Sequence, residues 1–575
     1  MDPHAAHPSK RKMPLATMVQ RKLSDMWGVP TTVSRNESLP SSTNDTRSIQ
    51  DPCKGIRNLD TKTEADGDGE KSSDMGSNNR ENNDRNSNDE KKIDMDSYNP
   101  ESDDDISSGG VQPQDYSQMA NLSLSDAVIL PILESIPLHT SHTTPSGNLI
   151  NSHARLSSQL DLVRQLSLDP SLDLLSEIIR QNSPKSLNQN LLCDFLMEQD
   201  SKYLVTVVPF ICSLALELPD LFPVGLAKLS QNMNRVITLT QRQIASLLAC
   251  AFLCLYDDFQ RNKVDPRVNF YWLYSNTGRR SETRMVKIKF LMHFFERVRT
   301  RQDESGNVTF HRKALSTAMT PDWRTQHRTK LCNVGLRLEP IEDILGTSQA
   351  DFSNKYIGGG VLSSGAVQEE IMFLIMPELI AACIFTEVLQ DNESLHMIGA
   401  ERYSDYSGYA DTLQWAGSHI DVLSRDERGR KKRDIFAMDA IKFSYHMGRR
   451  QFDRECVLRD LTKAYTAFLG SSESCLSTAA HISTGCGAFA GNLELKSLIQ
   501  VMAASVAGRD LIYSPFSETQ FAQDLLVLLD QLRLSDVSVA RLYKLICDFR
   551  QHAFGDYRST KKSLFEYIRR VLRGS

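Results

Sequence analysis

Near residue 308 the hydrophobic period of this 575-residue chain changes, and few architectures accommodate what lies on both sides of the change. Upstream, from about Leu122, segments such as "LDLLSEIIRQN", "LNQNLLCDFLMEQ" and "YLVTVVPFICSLALELPDLF" place apolar residues three and four positions apart between Pro and Asn breaks. That is the spacing of packed amphipathic helices, and it continues through "LTQRQIASLLACAFLCLY" and "KIKFLMHFFERVRT", which read as plain core helices. Downstream, short strand-like runs ("CNVGLRL", "SLHMIGA", "DIFAMDAIKF", "RDLIYSPF") alternate with helical ones such as "EEIMFLIMPELIAACIFTEVL" and "LELKSLIQVMAASVAG". Alternation of this kind predicts a layered α/β domain with ligands at the strand ends.

Two glycine-rich loops lead into helices in that second half, "IGGGVLSSGAVQEE" and "STGCGAFAGN". Neither has the spacing of a dinucleotide fingerprint or a P-loop. Three consecutive glycines, Gly358, Gly359 and Gly360, are expected only where backbone turns sharply or something approaches closely. Exposed N–H groups at two helix starts would together clamp a pyrophosphate. Glu369 and Glu370 open the helix after the triplet. Side chains of adjacent helical residues point roughly 100° apart, so these carboxylates cannot face each other across one bond as the acid and nucleophile of an ordinary glycosidase do. One carboxylate would have to do most of the chemistry; without the glycines, the pair would read as acids complementing a helix dipole.

Charge is uneven. From Glu64 to Asp105 there are 15 Asp and Glu against 5 Lys and Arg, so this block carries −10 of a net −6 and leaves the rest at +4. It is rich in Asn, Ser and Gly, and it cannot bury enough apolar surface to offset its ordering entropy. Residues 1–125 are therefore expected to be a disordered tail, and the mildly basic remainder suits a polyanionic ligand. Within the tail, Lys10, Arg11, Lys12, Arg21 and Lys22 are candidate import clusters. "QRKLSDMW" resembles a degenerate clamp-binding box, with Gln20, Leu23, Met26 and Trp27 at the anchor positions and one of the usual two aromatics missing. No apolar run reaches the ~20 residues of a membrane helix and the first residues lack a signal-peptide core, so a soluble intracellular protein is expected. The 11 cysteines form no CxxC pair; Cys250 and Cys254 read as one face of a buried helix, and neither disulfides nor a metal site is expected.

The run "GGGVLSSGAVQEE", followed by "YSDYSGYADT", "DIFAMDAIKF", "GCGAFAGN" and "LKSLIQVMAASVAGRDLIYSPF", resembles the poly(ADP-ribose) glycohydrolase family from the helical region almost to the C-terminus. The resemblance implies a macrodomain-like three-layer α/β/α fold over residues 246–575, an N-terminal all-helical accessory domain over 126–245 and a regulatory tail. It implies hydrolysis of ribose–ribose linkages in poly(ADP-ribose) without a cofactor, a monomer, and poly(ADP-ribose) and ADP-ribosylated proteins as partners. Glu370 then matches the catalytic acid and base, and Glu369 a ribose anchor. Gln368 and Asn354 match further polar contacts, and Gly358, Gly359 and Gly360 lie against the diphosphate and ribose. Tyr409 matches the adenine-stacking aromatic, Phe489 and Phe516 pocket aromatics, Ile341 and Glu342 adenine-edge contacts, and Gly485 and Gly487 the second phosphate loop. One departure stands out: where the family reads Gly-Asn-Trp ahead of Gly-Cys-Gly-Ala-Phe, this chain has Ser483 and Thr484 in place of Asn and Trp. A catalytically silent ADP-ribose reader is the competing expectation. The tail would direct the protein to the nucleus, with cytoplasmic residence also open, and could act as a scaffold at replication or repair sites.

Overall fold

A computed structural model describes residues 127–128 and 159–574, apart from 182, 185–189, 200, 257–267, 277–279, 302–305, 444, 477–481, 485–490, 517 and 555–562. The acidic block, the basic clusters, the clamp-like segment, and Gly485, Gly487 and Phe489 lie outside the described residues.

Short strands β1 (Ala127–Val128) and β2 (Leu226–Ala227) pair with each other. The central sheet holds β3 (Arg235–Thr240), β4 (Asn307–Ala314), β5 (Val334–Leu336), β6 (Ser348–Asp351), β7 (Glu393–Ile398), β10 (Asp434–Ala437), β11 (Ile482–Thr484) and β12 (Leu511–Tyr513). β8 (Ser404–Ser407) and β9 (Gln414–Ser418) form a separate hairpin. The sheet order is β3-β4-β7-β10-β6-β11-β12-β5. Pairings from β10 through β6, β11 and β12 to β5 are parallel, whereas β3-β4, β4-β7 and β7-β10 are antiparallel. The four strands expected from "CNVGLRL", "SLHMIGA", "DIFAMDAIKF" and "RDLIYSPF" are thus β5, β7, β10 and β12. The sheet also reaches further back than the change of period: β3 lies within the stretch that reads as helical and pairs along its whole length with β4.

Both faces of the sheet are covered, which requires two apolar cores. Along β10 the pleat divides them: Ile435 and Ala437 enter one core and Phe436 the other. The first core gathers α1 (Leu172–Gln181), α2 (Leu191–Glu198), α3 (Lys202–Leu216), α4 (Gln241–Phe252), α5 (Ser281–Thr300) and α6 (Gln368–Ile375). The second gathers α7 (Arg454–Phe468), α8 (Leu493–Ala507), α9 (Thr519–Leu534), α10 (Val539–Phe554) and α11 (Leu564–Gly574). The fold is the expected macrodomain-like α/β/α sandwich with a helical N-terminal region. The helices ahead of residue 245 have no core of their own, because Leu175, Phe195 and Ile211 belong to the same cluster as Phe310, Phe373 and Leu395. Pro209 sits inside α3, and Thr240 starts α4 with a capping box in which it accepts from the Gln243 N–H and Gln243 accepts from its own. No described helix is long and apolar enough to cross a membrane.

Candidate active site

The site forms where the parallel strands end. β6 runs into residues 352–367, which wrap back to the start of α6; β12 runs into Ser514, Pro515 and Phe516; and β11 ends at Thr484, one residue before the second glycine loop.

Gln368, the first residue of α6, ties the wrap to the sheet: its side-chain oxygen accepts from the Phe352 N–H at 2.9 Å and its amide donates to the Ala350 carbonyl at 3.0 Å. The next two residues point to different parts of the same loop. Glu369 accepts from the Asn354 N–H at 2.8 Å and the Gly358 N–H at 2.7 Å. Glu370 accepts from the Gly360 N–H at 2.7 Å and reaches back to the Val367 N–H at 2.9 Å. The second contact is the carboxylate half of a capping arrangement at a helix N-terminus, where negative charge is favoured. Both carboxylates are buried. They do not face each other, as the helical angle dictates, yet the loop brings both to one place.

The glycines make that convergence possible. At Gly359 (φ +50°) a Cβ would lie 2.5 Å from Glu369 Oε2 and 2.6 Å from Glu370 Oε1. At Gly358 (φ +85°) it would strike the buried Cys383 sulfur at 2.6 Å, at Gly360 the backbone of Gly365 at 2.9 Å, and at Gly365 the Glu370 carboxylate at 2.5 Å. Close approach at Gly359 is therefore already demanded by the two acids. The Asn354 side chain accepts from the Tyr356 N–H at 3.1 Å and fixes the turn into the triplet.

A third carboxyl joins them. Asp351, at the end of β6, is buried, and neither of its oxygens has a hydrogen-bond partner among the described residues. Burial, and then the charge of Glu370, push it well above the usual carboxylate range. Glu369 is likewise pushed well up by burial and by its two acidic neighbours, against the pull of its two backbone donors. Asp351 was not singled out from sequence, because "SQADF" offers no motif. Nor was Lys287 in α5, whose buried ammonium donates to the carbonyls of Gly360, Val361 and Ser363 at 2.9, 3.1 and 3.1 Å.

The aromatic wall comes from other elements. Tyr409 sits in the turn of the β8–β9 hairpin, its ring centroid 5.0 Å from that of Phe516. Phe516 is 62% exposed and holds a left-handed φ of +56°, a strained conformation for an aromatic residue. The hairpin turn is joined to the glycine loop through the Ala410 N–H, which donates to the Ala366 carbonyl at 2.8 Å. Ile341 and Glu342 lie in a buried single turn ahead of β6, and Tyr406 of the hairpin donates its phenol proton to Glu342. Burial pushes the Glu342 carboxyl up. Ser483 and Thr484, in place of the family's Asn and Trp, are paired backbone of β11, in register with Ile512 and Tyr513.

Comparison with known proteins bears on this geometry. The family described as Poly (ADP-ribose) glycohydrolase (PARG), helical domain, matches residues 195–312, and Poly (ADP-ribose) glycohydrolase (PARG), Macro domain fold, matches residues 320–523. Poly(ADP-ribose) glycohydrolase 1 of Arabidopsis thaliana is 33% identical over 345 residues, which cover 56% of this chain and 61% of that protein. Probable poly(ADP-ribose) glycohydrolase 2 of the same plant is 28% identical over 489 residues, covering 74% of this chain and 92% of that protein. Poly(ADP-ribose) glycohydrolase 2 of Caenorhabditis elegans is 31% identical over 331 residues, 55% of this chain and 67% of that protein. The helical and macro parts follow each other here in one chain, and the paired acids with their glycine loop fall inside the macro part; the chain belongs to the poly(ADP-ribose) glycohydrolase family.

Proposed function

We propose that this chain hydrolyses the ribose–ribose O-glycosidic linkages of poly(ADP-ribose) and releases ADP-ribose, with Glu370 serving as acid and then as base. The observation that carries the reading is the convergence of Glu369 and Glu370 on one glycine loop at the carboxyl ends of parallel strands, each fixed by two backbone N–H groups. A group that only binds has no need of so rigidly held a pair.

In this reading protonated Glu370 gives its proton to the departing 2′-oxygen of the neighbouring ADP-ribose unit, as the bond to the anomeric carbon breaks and a ribosyl oxocarbenium ion forms. The resulting carboxylate then takes a proton from water as the water oxygen bonds to that carbon. Glu369 anchors a ribose hydroxyl and orients the bond. Tyr409 and Phe516 offer ring faces to adenine, with Ile341 and Glu342 at its edge. Asn354 and Gln368 would hold substrate only through atoms left over from their backbone contacts.

Incubating the purified protein with labelled poly(ADP-ribose) and identifying the product tests this. Free ADP-ribose is expected; polymer bound but recovered intact would mark a reader and overturn the reading. Action at replication or repair sites, through the sliding clamp or otherwise, and residence in the nucleus are part of the proposal and rest on the tail's motifs alone.

A further inference from the structure

We infer that Lys287 is a positioning residue for catalysis, through which the helical domain holds Glu370 in place. The inference deepens the proposed hydrolase reading and rests on it.

Lys287 lies in the middle of α5, within the part of the chain matched to the family's helical domain, while the glycine loop lies in the macro part. Its side chain is fully buried, and its Nζ lies within hydrogen-bond distance of three carbonyl oxygens of one short loop, those of Gly360, Val361 and Ser363. Gly360 is gripped on both sides. Its carbonyl accepts from Lys287 at 2.9 Å, and its N–H donates to Glu370 Oε1 at 2.7 Å. The path from the helical domain to the proposed acid–base group is therefore one residue long.

A buried lysine is costly, and a methionine of similar length would fill the same slot between packed helices more cheaply. The lysine is retained where its nitrogen reaches three convergent carbonyls of one loop. Within the loop the ties are short turns, Gly359 N–H to Tyr356, Val361 N–H to Gly358, and Ser363 and Gly365 N–H to Gly360; outside it the loop is held by the carboxylates of Glu369 and Glu370 and by the Ala410 N–H. The same helix adds a second hold at its start. Arg280 donates to the Ser364 carbonyl at 3.3 Å and pairs with Asp411 at 2.6 Å, beside the turn that carries Tyr409. Two contacts from α5 thus bracket residues 360–364. Misplacement of a reacting group by about 1 Å typically costs on the order of a hundredfold in rate, whereas ligand affinity depends on many more contacts.

Lys287→Met and Lys287→Gln, made in the full chain, separate positioning from bulk stability. Turnover on labelled poly(ADP-ribose) is measured per folded molecule, with the folded fraction taken from urea unfolding, KM from the same assay, and ADP-ribose affinity from calorimetry. The expected result for Lys287→Met is a turnover number at least tenfold lower, with KM and ADP-ribose affinity within about threefold of wild type. Lys287→Gln, which keeps one donor pair, should fall between. Turnover per folded molecule within twofold of wild type in the folded variants would overturn the inference, as would an affinity loss equal to the loss in turnover. If neither variant folds, Lys287 is a structural anchor and the inference is likewise overturned. Wild-type protein that releases no ADP-ribose would instead overturn the hydrolase reading, and this inference with it.

Discussion

Replacing Gly359 with alanine should damage both stability and turnover, and the structure sets the size of each. The residue has φ +50°, and an alanine in the left-handed region costs about 1–2 kcal/mol. The added methyl would also lie 2.5 Å from Glu369 Oε2 and 2.6 Å from Glu370 Oε1, so at least one carboxylate must leave a backbone N–H that now holds it. Loss of one such hydrogen bond to a charged or polarised group costs about 1.5–3 kcal/mol. The total is about 2.5–5 kcal/mol. A control isolates the second part: Gly508, which ends α8, has φ +69° and nothing within 4 Å of its Cβ direction, so Gly508→Ala should lose only the conformational 1–2 kcal/mol and keep its turnover. Urea unfolding of both variants, with ADP-ribose release measured on each, makes the comparison. Gly359→Ala is expected to lose at least about a hundredfold in turnover, since a displaced catalytic group is penalised more steeply than the fold. Equal stability losses in the two variants, or turnover in Gly359→Ala within twofold of wild type, would refute the argument that the glycine exists to make room for the acids.

Three further outcomes are expected. Tyr409→Ala should weaken ADP-ribose binding by about 1–3 kcal/mol in calorimetry, the worth of one stacked base, while an unchanged affinity would remove Tyr409 from the adenine site. Truncation to a start near Leu122 should leave turnover close to that of the full chain. Deletion through residue 245 should give insoluble or unstable protein, because it strips β3 from β4 and removes about a third of the first core; soluble active protein from the shorter form would contradict this. The third concerns pH. Burial lowers Lys287 from 10.5 to about 7, helped by Arg284 and Arg280 of its own helix and opposed by Glu370 of α6. Between pH 7 and 10.5 the unfolded chain then binds more protons than the folded one, so this residue makes stability rise with pH across that window, by up to about 1.4 kcal/mol per unit. The stability difference between wild type and Lys287→Met should therefore move in favour of wild type from pH 7.5 to 9, and a pH-independent difference would show that the lysine is not held with a lowered pKa.

The parts of this molecule that could be read in the sequence are those whose reasons are local. The glycine triplet, the Gln-Glu-Glu that follows it and the alternation of strands and helices are all short-range patterns. Four sheet strands were legible because their apolar residues announce them. β6 was not: Ser348, Gln349 and Asp351 are polar and buried in the middle of the sheet, so the strand carries no apolar alternation. β3 was hidden for a different reason, since "RVITLT" runs directly into α4 and shares its apolar character. Lys287 and Asp351 illustrate the limit for the site. The lysine meets the glycine loop across more than seventy residues of sequence, and nothing in "KIKFLMHFF" distinguishes it from a solvated lysine on a core helix. The aspartate is functional in appearance only when its unpartnered oxygens are seen beside Glu370.

The central claim is that Glu370 moves the protons while the surrounding loop holds it and the ligand. Glu370→Gln removes the proton-transferring group with little change in volume, and its amide oxygen can still accept from one of the two N–H groups that now hold the carboxylate. Turnover on labelled poly(ADP-ribose) and calorimetric ADP-ribose affinity should be measured on the same preparation. The account predicts a rate lower by ~10²- to 10⁴-fold with ADP-ribose affinity within about tenfold of wild type. Near wild-type turnover in a folded Glu370→Gln protein that still binds ADP-ribose would contradict it.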